Sequence, residues 1–423
     1  MLRNLKVAVV ATFAVGLLDG LTPAFAQAPN VVIQWNRILQ AQFGTAPSNA
    51  QRSLSMMHIA MFDAINAVEE VYTPYRVRVR SSHGASAEAA GAQAARDVLA
   101  ALYPAQQPVF DAALEAQLNS MSPGHAKQGV EIGHQVARAV LEWRANDGWQ
   151  PITPDPTYVL PPFPGQWQPT PPANSPATFT FYPRVTPFAL LTSTQYLAAP
   201  PPTLTSARYA ADLNETKLLG SAASTVRTPD DTLFAQLIAG VGTTVGFLHV
   251  WNIVAGDVAQ RWGLSAVATA RLFALLNVSM HDGLQTSFTS KFAYGLWRPV
   301  TAIRRAAEDL NPATDADPAW TPLLGTPPYP SHPGNVACFT AAAARALQLV
   351  FERDDIPFSV TWPRTGGLPS VTRDFSGFWQ LADQEARSRI HGGIHFQFES
   401  EASQAACVKV AEFAHARFMK PRR

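Results

Sequence analysis

Cysteine is nearly absent: the 423 residues contain two, Cys338 and Cys407. That excludes a disulfide-stapled scaffold and a cysteine-rich zinc protein, and it leaves open whether the two pair. Charge is also scarce, at 15% of residues, and it favours neither sign, with 32 Lys+Arg against 31 Asp+Glu. Nothing in that balance points to nucleic acid or an anionic membrane as partner. No long apolar run offers a membrane span, because the best stretch, Leu264 to Met280, carries Arg271 in its middle. Membrane insertion is therefore not expected. With 47% hydrophobic and 10% aromatic residues, disorder is excluded as well.

Proline is plentiful, and its placement divides the chain. Residues 1–26 read as an export signal, with Arg3 and Lys6, an apolar stretch from Val7 to Leu18, and Ala24-Phe25-Ala26 as the cleavage site. The expected location is periplasmic or secreted. Residues 27–150 read as a helical bundle, with apolar positions such as Leu54, Met57, Met61, Ala64 and Ile65 at three- and four-residue spacing. Fifteen prolines between Pro151 and Pro202 make residues 151–205 an extended connection. Its aromatics (Tyr158, Phe163, Trp167, Phe179, Phe181, Tyr182) suggest a segment laid over the body. Helical patterning resumes over 206–423.

The two helical parts share a pattern. Arg52 to Asn66 aligns without gaps on Arg271 to Gln285, with Arg, Met and Asp coinciding. The expected fold is all-α, a duplicated helical bundle with one copy on each side of the proline-rich segment. Within that pattern Asp282 matches Asp63, which makes it a structural residue.

Three clusters in the second part carry chemistry. Lys291 and Arg298-Pro299 close a long helical stretch. Ser331, His332 and Gly334 lie in a Pro/Gly turn leading into a helix. Ser388-Arg389 is followed by His391, Gly392-Gly393 and His395. Lysine offers a point charge and arginine a planar fork, while a helix start offers free amides, so together they suit a multiply charged oxyanion. His391, four before His395, has the spacing of a helical metal pair, but no third ligand accompanies it and it reads as peripheral.

In order and spacing, Lys291-x6-Arg298-Pro299 and Ser388-Arg389-x5-His395 resemble the vanadium-dependent haloperoxidase and type 2 phosphatidic acid phosphatase superfamily, in particular its bacterial haloperoxidase-like branch. The resemblance implies an all-α fold of two four-helix bundles and orthovanadate as cofactor, with phosphate able to substitute. His395 would be the axial metal ligand, and Lys291, Arg298 and Arg389, with Ser331 and Gly334 in the turn, would hold the oxygens. Hydrogen peroxide and a halide would be the substrates. In a soluble acid phosphatase, the alternative, His395 would instead attack a phosphomonoester. One departure matters. The family's Ser-Gly-His falls on Gly334-Asn335-Val336, so the expected acid–base is a valine unless His332 has taken the role. A non-catalytic oxyanion-binding member is the third reading. Oligomeric state is not legible.

Overall fold

A computed structural model describes residues 30–42, 50–80 and 84–422, so the segment read as an export signal lies outside the described residues. The first half contains α1 (Val31–Gln40), α2 (Ala50–Glu69), α3 (Ala87–Leu102), α4 (Gln107–Leu118) and α5 (Pro123–Arg144). The second contains α6 (Ala207–Leu219), α7 (Pro229–Ile238), α8 (Phe247–Arg261), α9 (Ala266–Tyr294), α10 (Pro299–Arg304), α11 (Asn335–Phe351), α12 (Phe378–His391) and α13 (Gln397–Arg417). Among the described residues the fold is all-α apart from one antiparallel hairpin between α11 and α12, β1 (Phe358–Trp362) with β2 (Val371–Phe375). No helix among the described residues is long and apolar enough to cross a membrane.

Local chemistry starts the helices where the pattern suggests. Ser86, Ser206 and Ser265 each sit one residue outside their helix, and each hydroxyl accepts a first-turn amide. α9 ends at Gly295, whose φ of 62° is the left-handed conformation that glycine adopts without strain. α3 and α5 approach so closely that a Cβ on Gly133 would lie 2.6 Å from the Ala90 carbonyl oxygen.

α2 and α9 are buried on nearly every face, as helices at the centre of a body must be, and they pack on each other. One apolar cluster runs through both halves, from Val31 to Met419. The shared pattern of α2 and α9 has a shared use. Asp63 accepts the backbone amides of Tyr75, Arg76 and Val77, and Asp282 those of Phe188, Ala189 and Leu190. Arg52 donates to the carbonyl of Arg144 at the end of α5, and Arg271 to that of Met419 just past α13.

The proline-rich segment holds one short helical turn, Tyr182–Arg184, and otherwise runs extended over the body. Trp167, Phe181 and Tyr182 are buried, whereas Phe163 points to solvent. The segment is pinned at Phe188. The Tyr75 hydroxyl donates to the Phe188 carbonyl at 2.6 Å, and the buried Arg144 guanidinium lies 3.9 Å from the centre of its ring. Cys338 of α11 and Cys407 of α13 form a disulfide with Cα atoms 5.2 Å apart.

Candidate oxyanion site

The three clusters converge where α9 ends and where α11 and α13 begin. His395 lies in the turn between α12 and α13 and is almost completely buried. That turn is tight: Gly393 has a φ of 72°, and the carbonyl of Gly220 occupies the place a Cβ would need. The His395 Nδ1 faces Glu399 Oε2 at 2.5 Å, and its Nε2 lies 3.2 Å from Arg298 Nη1. Burial, then the charges of Arg298, Lys291 and Arg389, push the imidazole well below its ordinary pKa. A neutral ring with Nδ1–H donated to Glu399 leaves a lone pair on Nε2, the atom a metal or phosphorus would meet.

Arg298 at the N-cap of α10 and Arg389 on α12 flank that atom. Arg298 donates through Nε to the Tyr329 carbonyl at 2.8 Å and through Nη1 to that of Ile394 at 2.9 Å, but its Nη2 is buried without a partner. Arg389 donates through Nη2 to Ala235 at 3.1 Å, and its buried Nε is likewise unpartnered. Burial lowers both guanidinium pKa values, that of Arg389 to about 10, which leaves Arg389 charged at neutral pH. Unpaired buried N–H groups are rare in folded proteins. Two of them lie near one histidine.

The remaining sequence candidates lie behind this arrangement. Lys291 directs its ammonium at three carbonyls, Pro330 at 3.1 Å, Ser331 at 2.6 Å and Pro333 at 2.5 Å. It ties the loop before α11, with no hydrogen left for an anion, and burial, then the charge of Arg298, pushes its pKa well below the ordinary lysine value. Ser331 donates to Glu399 Oε2 at 3.1 Å, and Gly334 is the N-cap of α11 with no side chain capping the first turn. His332 is turned away: its Nε2 donates to the Ala199 carbonyl at 2.7 Å, and its ring lies between Tyr294 and Phe398. Burial holds its pKa down to about 4, so it is neutral. His391 faces Asp231 at 3.4 Å, on the far side of Arg389's helix end.

A cavity of about 270 Å³ opens onto His395 and Arg389, and Tyr329, Asn335 and Val336 line it. Val336 therefore occupies the first turn of α11 facing the cavity, and His332 does not. Two buried carboxylates complete the site, neither of which the sequence reading named. Glu399 lies four residues after His395, a spacing that could have drawn attention to it. Glu385, whose Oε2 accepts from the Trp251 indole at 2.8 Å, sits one turn before Arg389. Burial raises both to about 7. Two buried guanidinium groups, Arg298 and Arg389, against carboxylates whose ionisation burial opposes make an interior that favours binding an anion.

Residues 271–423 match the family model of the VCPO second helical-bundle domain. Over 178 residues, 32% of this chain and 29% of the relative, the sequence is 26% identical to the vanadium chloroperoxidase of Curvularia inaequalis. The fold is similar over nearly the whole length to the crystal structure of the first bacterial vanadium-dependent iodoperoxidase, with a TM-score of 0.76, 22% identity, and 93% and 97% of the two chains covered. It is also similar to a holo-type bacterial vanadium-dependent chloroperoxidase, with a TM-score of 0.68, 15% identity, and 93% of each chain covered. The resemblance read from the motifs thus extends to the whole architecture.

Proposed function

We propose, on the premise of that shared architecture, that the chain is an exported, vanadate-dependent haloperoxidase-like enzyme whose acid–base position is held by an apolar residue. The observation that carries this reading is the pair of unpartnered guanidinium N–H groups, on Arg298 and Arg389, near a neutral His395 whose Nε2 accepts from Arg298 Nη1 at 3.2 Å. Orthovanadate fits that set: His395 would bind the metal, the two arginines would neutralise its oxygens, and the uncapped first turn of α11 would supply backbone amides. Once bound, vanadate supplies a Lewis acid that activates peroxide toward a halide. Phosphate fits the same donors.

The chain's own residues do the rest. Glu399 accepts the Nδ1–H of His395 and so holds the tautomer that leaves the Nε2 lone pair as an acceptor, taken up by Arg298 Nη1. Lys291 fixes the loop that aims α11 at the cavity. Val336 has no proton to give, and general acid–base assistance is typically worth ~10²–10⁴-fold. Turnover should therefore be low.

Val336 also favours a second reading, a member that binds oxyanions without turning over. The phosphatase alternative uses the same Nε2 as nucleophile on a phosphomonoester. Orthovanadate should raise the thermal midpoint of the protein, by about 2.7 kcal/mol of stability at a hundredfold excess over the dissociation constant. Arg298→Ala and Arg389→Ala should each remove most of that shift. An unchanged wild-type midpoint at millimolar vanadate would eliminate the cofactor. Bromide oxidation with vanadate and peroxide, set against p-nitrophenyl phosphate hydrolysis without vanadate, separates the two chemistries, and His395→Ala should abolish both. If the midpoint shifts but neither activity appears, the binding-only reading holds.

A further inference from the structure

Tyr329 stands where the oxyanion cavity meets a second chamber of about 270 Å³, and it lines both. Rings wall the chamber, among them Phe179 and Tyr182 from the proline-rich segment and Phe288 from α9. Two of these hold the tyrosine ring, which meets Phe179 edge-on at 5.8 Å and Phe288 at 5.2 Å. Arg298 holds the other side. Its Nε donates to the Tyr329 carbonyl at 2.8 Å, and its guanidinium carbon lies 4.8 Å from the ring centre. The residue is buried, and its place is fixed by the same contacts that fix Arg298.

The hydroxyl has no such anchor. Asn335, the first residue of α11 and the neighbour of Val336, directs its Nδ2 at the oxygen from 3.5 Å. That separation exceeds an ordinary O–H bond in either orientation of the amide, so Asn335 does not take the hydroxyl hydrogen. Arg298 and Arg389 act on the same oxygen through their charge, and a guanidinium donates but never accepts. No acceptor for the Tyr329 hydrogen is present among the described residues. The ring thus leans on chamber residues, whereas Asn335 and Arg389, which surround the hydroxyl, line the oxyanion cavity with Val336 and His395. An O–H set among cationic groups at an anion cavity suits an acceptor that is itself negative.

We propose that the Tyr329 hydroxyl donates to the bound tetrahedral oxyanion, as the uncharged donor that Val336 lacks. The proposal deepens the oxyanion reading of the site and rests on it. It concerns binding and not proton transfer. Burial holds the phenol above its ordinary pKa, so the oxygen keeps its hydrogen at neutral pH. Turnover stays limited by Val336. The two arginines then neutralise the charge of the anion, and the hydroxyl, which rotates about its own bond, orients one oxygen.

Tyr329→Phe removes that oxygen alone and keeps the ring and the carbonyl that holds Arg298. Calorimetric titration of the full-length protein with inorganic phosphate, and separately with orthovanadate, reads the difference. A hydrogen bond to a charged group corresponds to about tenfold to a hundredfold in affinity, and Tyr329→Phe should lose that much for both anions. Tyr182→Phe, in the chamber, should lose nothing. Saturating phosphate should also shift a tyrosine absorption band of the wild type to longer wavelength, as a phenol that begins to donate does. Equal anion affinity in wild type and Tyr329→Phe overturns the proposal, and so does an equal loss in Tyr182→Phe. The absorption shift needs no variant to fold, and its absence overturns the proposal as well. The two readings fail separately. Phosphate binding that Tyr329→Phe weakens, with no orthovanadate binding, removes the cofactor and leaves the donor. Orthovanadate binding that Tyr329→Phe leaves unchanged removes the donor and leaves the cofactor.

Discussion

Asp282 offers a measurement whose size follows from the structure. Its buried carboxylate accepts three consecutive backbone amides, of Phe188 at 2.9 Å, Ala189 at 2.7 Å and Leu190 at 2.9 Å. Asp282→Ala leaves all three without an acceptor, at about 1–3 kcal/mol for each unsatisfied buried group. Some relaxation is certain, so a loss on the order of 3–6 kcal/mol is expected, against the roughly 5–15 kcal/mol that hold a whole protein folded. Asp282→Asn keeps one oxygen and turns a donor toward the remaining amides, and should recover only part of the loss. Asp63→Ala strips three amides in the same way, at Tyr75, Arg76 and Val77, and should cost a similar amount. Urea midpoints measure the totals. Limited proteolysis separates the two sites, since only Asp282→Ala releases the proline-rich segment and should speed cleavage within residues 151–205. A wild-type midpoint with wild-type protection in Asp282→Ala would show that the carboxylate does not hold the segment, and the matched roles of the two aspartates would fall with it.

Two further outcomes concern the site. Val336→His should raise turnover of the vanadate-loaded protein, by up to the ~10²–10⁴-fold typical of an acid–base, while His332→Ala changes it little. A clearly active wild type that neither substitution alters would mean the proton comes from elsewhere. Burial raises Glu385 and Glu399 from 4.5 to about 7, so between those values the folded protein holds protons that the unfolded chain has released. Stability should therefore fall as pH rises through that window, and Glu385→Gln should flatten the fall. A midpoint difference between wild type and variant that stays constant from pH 4.5 to 7 would contradict it.

What the sequence shows depends on how local the cause is. α3 and α9 are legible because their caps and apolar spacing lie within a few residues of one another, and α2 from its apolar spacing. The β1–β2 hairpin and the short α7 and α10 escaped a reading tuned to long helical periods, although the alternation in Phe358-Ser-Val-Thr-Trp362 was visible. The site's cations were legible as residue types, but their use was not. Nothing in the chain text tells that three carbonyls converge on Lys291 while single N–H groups of Arg298 and Arg389 stay free. The contest between His332 and Val336 was likewise open in sequence. The start of α11 at Asn335 separates them, one ring bonded to Ala199 and the other side chain on the cavity wall. Fifteen prolines announce an extended segment, yet not that it walls a chamber.

The single apolar cluster through both halves has a consequence for synthesis. At about 5–20 residues per second, α2 leaves the ribosome on the order of tens of seconds before α9, the helix that covers it. During that interval α2 can already pack on α3 and α5, but the face that α9 covers stays open. A fragment ending before α9 should leave that face exposed and collect in the insoluble fraction.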